Sequence, residues 1–139
     1  MTRSKSTIYA LLAVLEAAQR RKAGDDTPLK AAEFARQYRL PRAYAGKMIS
    51  QLVQSKILAS LRGPNGGFLL GRQPRQITLA QVVEAVQGLE QNYAKAMPAG
   101  TPRAFRRGIL AVMENATQRA HKSFGSMTVD NFLRRTARR

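Results

Sequence analysis

The stretch "LASLRGPNGGFLLGR", Leu58 to Arg72, decides the fold. Two short β-prone runs, "ILASLR" and "FLLGR", flank Gly63, Pro64, Asn65, Gly66 and Gly67, a run that would break a helix or a central strand. Runs joined this way predict a β-hairpin, with Asn65-Gly66 supplying the positive φ of a tight primed turn. A tip made of glycines is slim, and its backbone N–H groups can approach another molecule with no side chain in the way. Arg62 stands at the base of that tip.

Upstream, "PRAYAGKMISQLVQS" places Tyr44, Ala45, Met48, Ile49 and Leu52 at spacings of three and four, which predicts an amphipathic helix. Its other face carries Arg42, Ala43, Gly46, Lys47, Ser50 and Gln51. Before it, "LKAAEFARQY" predicts a short helix burying Leu29, Phe34, Ala35 and Tyr38, opened by Thr27 as cap and Pro28 in the first turn. Arg39-Leu40 leaves only a tight turn between the two, the spacing of a helix-turn-helix. A first helix, Ser6 to about Arg20, has Ile8, Leu11, Leu12 and Leu15 as its apolar stripe.

Downstream, "ITLAQVVEAVQG" has Thr78 and Gln81 in a capping-box spacing, then Val82, Val83 and Val86, and Gly88 as a stop. Glu90 to Pro102 reads as a loop. A long helix follows from about Arg103 to Ala120, with Phe105, Ile109, Val112, Met113, Ala116 and Ala120 at near-heptad spacing. "SMTVDNFL" predicts a short apolar turn, and Arg134 to Arg139 a disordered basic tail able to add phosphate contacts. The expected fold is mainly α with a small β-hairpin. Its parts are a winged helix-turn-helix over residues 1–89, a loop over 90–102, a dimerisation helix over 103–121, and the turn and tail over 122–139.

Charge points to the partner. The 139 residues include 24 Lys and Arg against 8 Asp and Glu, a net charge of +16. No carboxylate lies between Glu33 and Glu84, whereas Arg36, Arg39, Arg42, Lys47, Lys56, Arg62, Arg72 and Arg75 all do. A face kept soluble by charge mixes both signs; a single-sign segment suits a polyanion, whose condensed counterions it displaces. The arrangement fits duplex DNA: a helix enters the major groove, a slim hairpin tip reaches phosphates, and Arg62 enters a narrow minor groove.

Other classes are disfavoured. With no cysteine, there is no disulfide, thiolate nucleophile or cysteine-held metal cluster. His121 is the sole histidine and reads as a surface residue near a helix end, so no metal site is expected. Scattered acids and one His offer no acid–base pair or activated nucleophile, so an enzyme is not expected. No apolar run reaches the roughly 18 residues of a membrane span, and Glu16 interrupts the N-terminal one, so a cytoplasmic, nucleoid-associated protein is expected. RNA binding remains an alternative, since "GPNG" matches the GxxG loop of a KH domain, although both flanks look like strands. A low-specificity nucleoid binder is another.

The runs "IYALLAVLEAAQ", "LPRAYAGKMISQLVQSKILASLRGPNGGFLLGR" and "ITLAQVVEAVQG" closely resemble the Rrf-type family of bacterial winged-helix regulators, and "RGPNGGFLLGR" resembles that family's wing almost letter for letter. The resemblance covers about Lys5 to Leu133. It implies a homodimer, with the long helix crossing to its twin and each winged helix reading half of a palindromic operator; the expected seam is the stripe Phe105, Ile109, Val112, Met113 and Ala116, and the expected role is that of a repressor. It implies base reading by Arg42, Ala43, Gly46 and Lys47, backbone contacts from Tyr44 and Gln51, and a wing of Arg62, Gly63, Pro64, Asn65, Gly66 and Gly67. Cluster-bearing members place three cysteines before the long helix; "QNYAKAMPAGTP" has none, so no iron–sulfur cofactor is carried over. A small-molecule effector, a partner protein or no signal at all is left open.

Overall fold

The computed structural model describes residues 3–64, 66–87, 93–125 and 127–137. The elements in order are α1 (Arg3–Lys22), α2 (Ala31–Tyr38), α3 (Arg42–Gln54), β1 (Leu58–Leu61), β2 (Gly67–Leu70), a 3₁₀ turn (Pro74–Gln76), α4 (Leu79–Gln87), a single turn α5 (Tyr93–Ala96), α6 (Arg103–Phe124) and α7 (Val129–Ala137).

The core forms around α1, which packs on α3, α4, β2 and α7. Its buried face is Ala10, Ala13, Val14, Ala17 and Ala18, all 5% exposed or less. These positions repeat at i, i+3, i+4, i+7 and i+8, and their small side chains let several elements approach one axis. The larger stripe expected to be buried is not: Ile8 is 56% exposed, and Leu11, Leu12 and Leu15 are half-buried. Phe34 from α2, Ile49 and Leu52 from α3, Ile57 just before β1 and Leu58 within it, and Val82 from α4 close the core.

α2 begins later than Thr27-Pro28 foretold. Leu29 exchanges both backbone hydrogen bonds with Phe68, each 2.8 Å, which fixes it in extended form against the hairpin. The helix starts only at Ala31, and Lys30 precedes it without a side-chain cap. It ends as Arg39 turns left-handed (φ 56°), with the Leu40 N–H donating to the Ala35 carbonyl at 2.8 Å. Pro41 then stands just before α3, its carbonyl accepting from the Ala45 N–H at 3.1 Å.

After the hairpin, α4 opens on the expected capping box: Thr78 Oγ1 accepts from the Gln81 N–H at 3.1 Å, and Gln81 Oε1 accepts from the Thr78 N–H at 3.0 Å. Gly88, its expected stop, lies outside the described residues, as do Arg138 and Arg139 of the tail. The C-terminus departs from expectation. "SMTVDNFL" is no mere turn, and Arg134 and Arg135 are helical. Thr128 and Asn131 form a second capping box that opens α7. The two boxes lie side by side, because the Leu79 N–H donates to the Met127 carbonyl (2.9 Å) and the Val129 N–H to the Ile77 carbonyl (2.8 Å). α7 thereby folds back, burying Val129 and Leu133. Lys22 Nζ and Arg134 Nε both meet the Asp130 carboxylate, at 2.7 and 2.9 Å.

Candidate nucleic-acid interface

α3 is held by its apolar face, with Ala45, Met48, Ile49 and Leu52 buried. That seating turns Arg42, Ala43, Lys47 and Ser50 to solvent and leaves Gly46 and Gln51 half-exposed. A Cβ on Gly46 would meet nothing within 4 Å, so the glycine opens the face rather than relieving a clash. Tyr44 is placed differently. Its hydroxyl lies 2.6 Å from the Ser6 hydroxyl, which ties α3 to the start of α1.

The hairpin is antiparallel, with Leu58 opposite Leu70, Ala59 opposite Leu69, Ser60 opposite Phe68 and Leu61 opposite Gly67. Its link therefore spans residues 62–66 rather than a two-residue primed turn. Positive φ falls at Gly63 (107°) and Gly67 (156°), not at Gly66. The Gly66 N–H donates to the Gly63 carbonyl at 2.9 Å and closes the tip. Gly67 is demanded by a close approach: a Cβ there would stand 2.7 Å from the Leu29 carbonyl oxygen. Arg62, Gly63 and Pro64 are exposed, and Gly66 and Gly67 half-exposed. Asn65 lies outside the described residues.

The charges of this face have no counterpart among the described residues. Among the described residues the ion pairs are Glu16–Arg20, Lys22–Asp130 and Asp130–Arg134, and none touches α3 or the wing. Arg42, Lys47 and Arg62 are left to solvent. Arg72 turns inward instead, donating from Nε to the Lys56 carbonyl at 3.3 Å.

α6 carries the remaining expected contact residues. Pro102 precedes it, and Arg106 donates to the Ala94 carbonyl at 3.1 Å, folding α5 against it. Phe105, Ile109 and Val112 are 66%, 46% and 66% exposed; Ala116 is exposed and Met113 half-buried. The side chains of Ala120 and His121 lie outside the described residues.

The sequence profile of the Rrf2 family, described as iron-dependent transcriptional regulators, matches residues 3–135. The chain belongs to the Rrf2 family. It is 36% identical over 78 residues to the HTH-type transcriptional regulator IscR of Sodalis glossinidius, an alignment covering 56% of this chain and 46% of that protein. The chain spans about half the length of the curated relatives it matches. Among solved structures, T. potens IscR superposes with a TM-score of 0.65 at 20% identity, covering 94% of this chain and 85% of the other. CymR, the global cysteine regulator of B. subtilis, gives 0.61 at 20% identity, covering 91% and 92%. At such identities the likeness is one of fold, and that fold is the winged helix.

The iron of the family's description does not fit this chain. The segment 90–102 before α6 offers no thiolate and no imidazole, only Glu90 among strong ligands. Among the described residues, no group of three or more His, Cys, Asp or Glu is positioned to hold a metal ion. Nor is any described helix long and apolar enough to cross a membrane.

Proposed function

We propose that this chain is a duplex-DNA-binding transcriptional regulator that works as a homodimer, and that it represses by covering a palindromic operator. The observation that carries the reading is the exposed set Arg42, Lys47 and Arg62, which has no carboxylate partner among the described residues and is distributed over a helix and an adjacent glycine tip. α3 supplies base contacts through Arg42, Ala43, Gly46 and Lys47. The tip supplies backbone N–H groups to phosphates, and Arg62 goes to the minor groove. Tyr44 supports α3 through Ser6 while its ring edge lies near the DNA backbone together with Gln51. A KH-type RNA grip needs its GxxG loop between helices, whereas β1 and β2 flank it here.

The second copy is supported by α6, since a helix presenting Phe105, Ile109 and Val112 to water is half of an interface. A twofold dimer mirrors a palindrome, with half-sites roughly 34–36 Å apart. No cofactor enters this reading.

Fluorescence anisotropy on labelled duplexes tests it. With 6–10 phosphate contacts per dimer, affinity falls by roughly 10³–10⁵ between 50 and 200 mM salt. A nearly flat salt response would remove the electrostatic basis of the proposal, and tighter binding to single-stranded RNA would redirect it.

A further inference from the structure

A recess of about 270 Å³ opens between the last turns of α1, the loop that follows it, and β2. Its charged wall carries Arg20, Arg21, Asp25 and Asp26, and its apolar wall Phe68 and Leu70. Duplex binding as described above uses none of these groups.

The wall is firmly built. Arg20 donates to the Thr27 and Pro28 carbonyls at 3.2 and 3.0 Å and pairs with Glu16 at 3.1 Å. The Thr27 N–H donates to Asp25 Oδ1 at 2.9 Å, and the hydrogen bonds from Thr27 hold the Asp25 carboxyl below its ordinary range. Arg21, Asp25 and Asp26 are exposed and form no ion pair among the described residues. Asp25 is held by Thr27, and Arg21 and Asp26 stand beside it at the rim with charge to spare.

Charge and size together select a ligand. A purely anionic molecule meets Asp25 and Asp26, and a purely cationic one meets Arg20 and Arg21. A molecule carrying one charge of each sign and an apolar group satisfies all three parts of the wall. The volume falls just below the roughly 300–1,000 Å³ of ordinary small-molecule sites, which favours a compact ligand.

We propose that this recess binds a free α-amino acid with an apolar side chain. Its carboxylate sits on Arg21, its ammonium on Asp26, and its side chain against Phe68 and Leu70. The consequence reaches the wing, because Phe68 pairs with Ser60 across the hairpin and with Leu29 across the loop. A ligand seated there braces the strand from which the glycine tip hangs. As regulation of the duplex grip, this rests on the function proposed above; as a binding site it stands alone.

The test uses the full ¹⁵N-labelled chain without DNA, titrated into the millimolar range with L-leucine or L-phenylalanine. Isovalerate and isoamylamine, each lacking one charge, serve as controls. Saturable amide shifts across 20–27 and 68–70 are expected with the amino acids and not with the controls. Arg21→Ala and Asp26→Ala, both at exposed positions, each weaken binding by about tenfold or more. The site is refuted by an absence of saturable shifts with both amino acids, by equal shifts with the singly charged controls, or by undiminished affinity in both variants. With DNA absent throughout, failure here leaves the duplex-binding reading intact, and loss of that reading leaves the ligand result intact.

Discussion

α3 and α6 are both amphipathic helices, and they dispose of their apolar faces in opposite ways. α3 buries Ala45, Met48, Ile49 and Leu52 within the chain and turns cations outward. α6 holds Phe105, Ile109 and Val112 in water, although the chain on either side of it is tied down by the Arg106–Ala94 contact and by α7. A helix whose apolar side is satisfied internally is rigidly aimed, and its other side is free to read a ligand. A helix whose apolar side is not satisfied calls for a second surface. One substitution, isoleucine to aspartate, should therefore have unlike effects at the two places.

The largest effect is expected from Ile49→Asp. Ile49 is fully buried, so the change leaves both a cavity and an unpaired carboxylate in the core. The cost is about 5 kcal/mol or more, comparable to the whole stability of a small domain. Loss of the cooperative transition in urea denaturation checks this; a variant as stable as the parent would mean that α3 is not seated as described. Ile109→Asp combined with Val112→Asp should leave the chain folded, with an unchanged circular dichroism spectrum. Self-association should weaken by about two orders of magnitude, roughly 3 kcal/mol. Analytical ultracentrifugation reads it, and a persistent dimer would move the seam off α6.

The cationic side of the contrast is tested more finely. Lys47→Ala should reduce discrimination between an operator and random duplex by about 1–3 kcal/mol. Arg62→Ala should lower affinity for both DNAs alike. Anisotropy on the two sequences separates these, and matching losses in both variants would erase the division between helix and wing.

How far the sequence foretells this arrangement depends on the range of the interactions. α3, the hairpin and the Thr78–Gln81 box are specified by residues within a few positions of one another, and they lie where the pattern puts them. The start of α2 does not, because Leu29 is held by Phe68, far along the chain. The buried face of α1 departs from the pattern for a related reason. Hydrophobic size marks Leu11, Leu12 and Leu15, but a helix surrounded by neighbours buries its smallest residues, Ala10, Ala13 and Ala17. The tie between the Tyr44 and Ser6 hydroxyls, 38 positions apart, is likewise invisible in the local pattern. The Thr128-x-x-Asn131 signal for α7 was present in the sequence, but the following arginines read as a tail. Arg20 shows its i,i+4 spacing to Glu16, but its bonds to the Thr27 and Pro28 carbonyls, which organise the recess wall, leave no pattern in the sequence.

The smallest expected effect concerns what returns the chain to the core after α6. Asp130 stands in the first turn of α7, where the helix dipole also favours an anion. Its carboxyl is held below the ordinary range, chiefly by the hydrogen bond from Lys22, with Arg134, Lys22 and Arg75 adding their charges against a smaller desolvation cost. A folded-state value depressed below the unfolded one stabilises the fold at any pH above the unfolded value, about 3.9. That contribution fades as pH falls through the depressed folded value, where the carboxylate protonates. Asp130→Asn keeps the shape and removes the charge. It should lower the melting temperature slightly at pH 7, and the difference from the parent should shrink as pH falls below the ordinary aspartate range. A difference that stays constant down to strong acid, or no difference at pH 7, would show that the charge of Asp130 is not what anchors α7. In that case α7 would be returned to the core by its buried Val129 and Leu133 and by the backbone bonds beside Thr78 and Thr128.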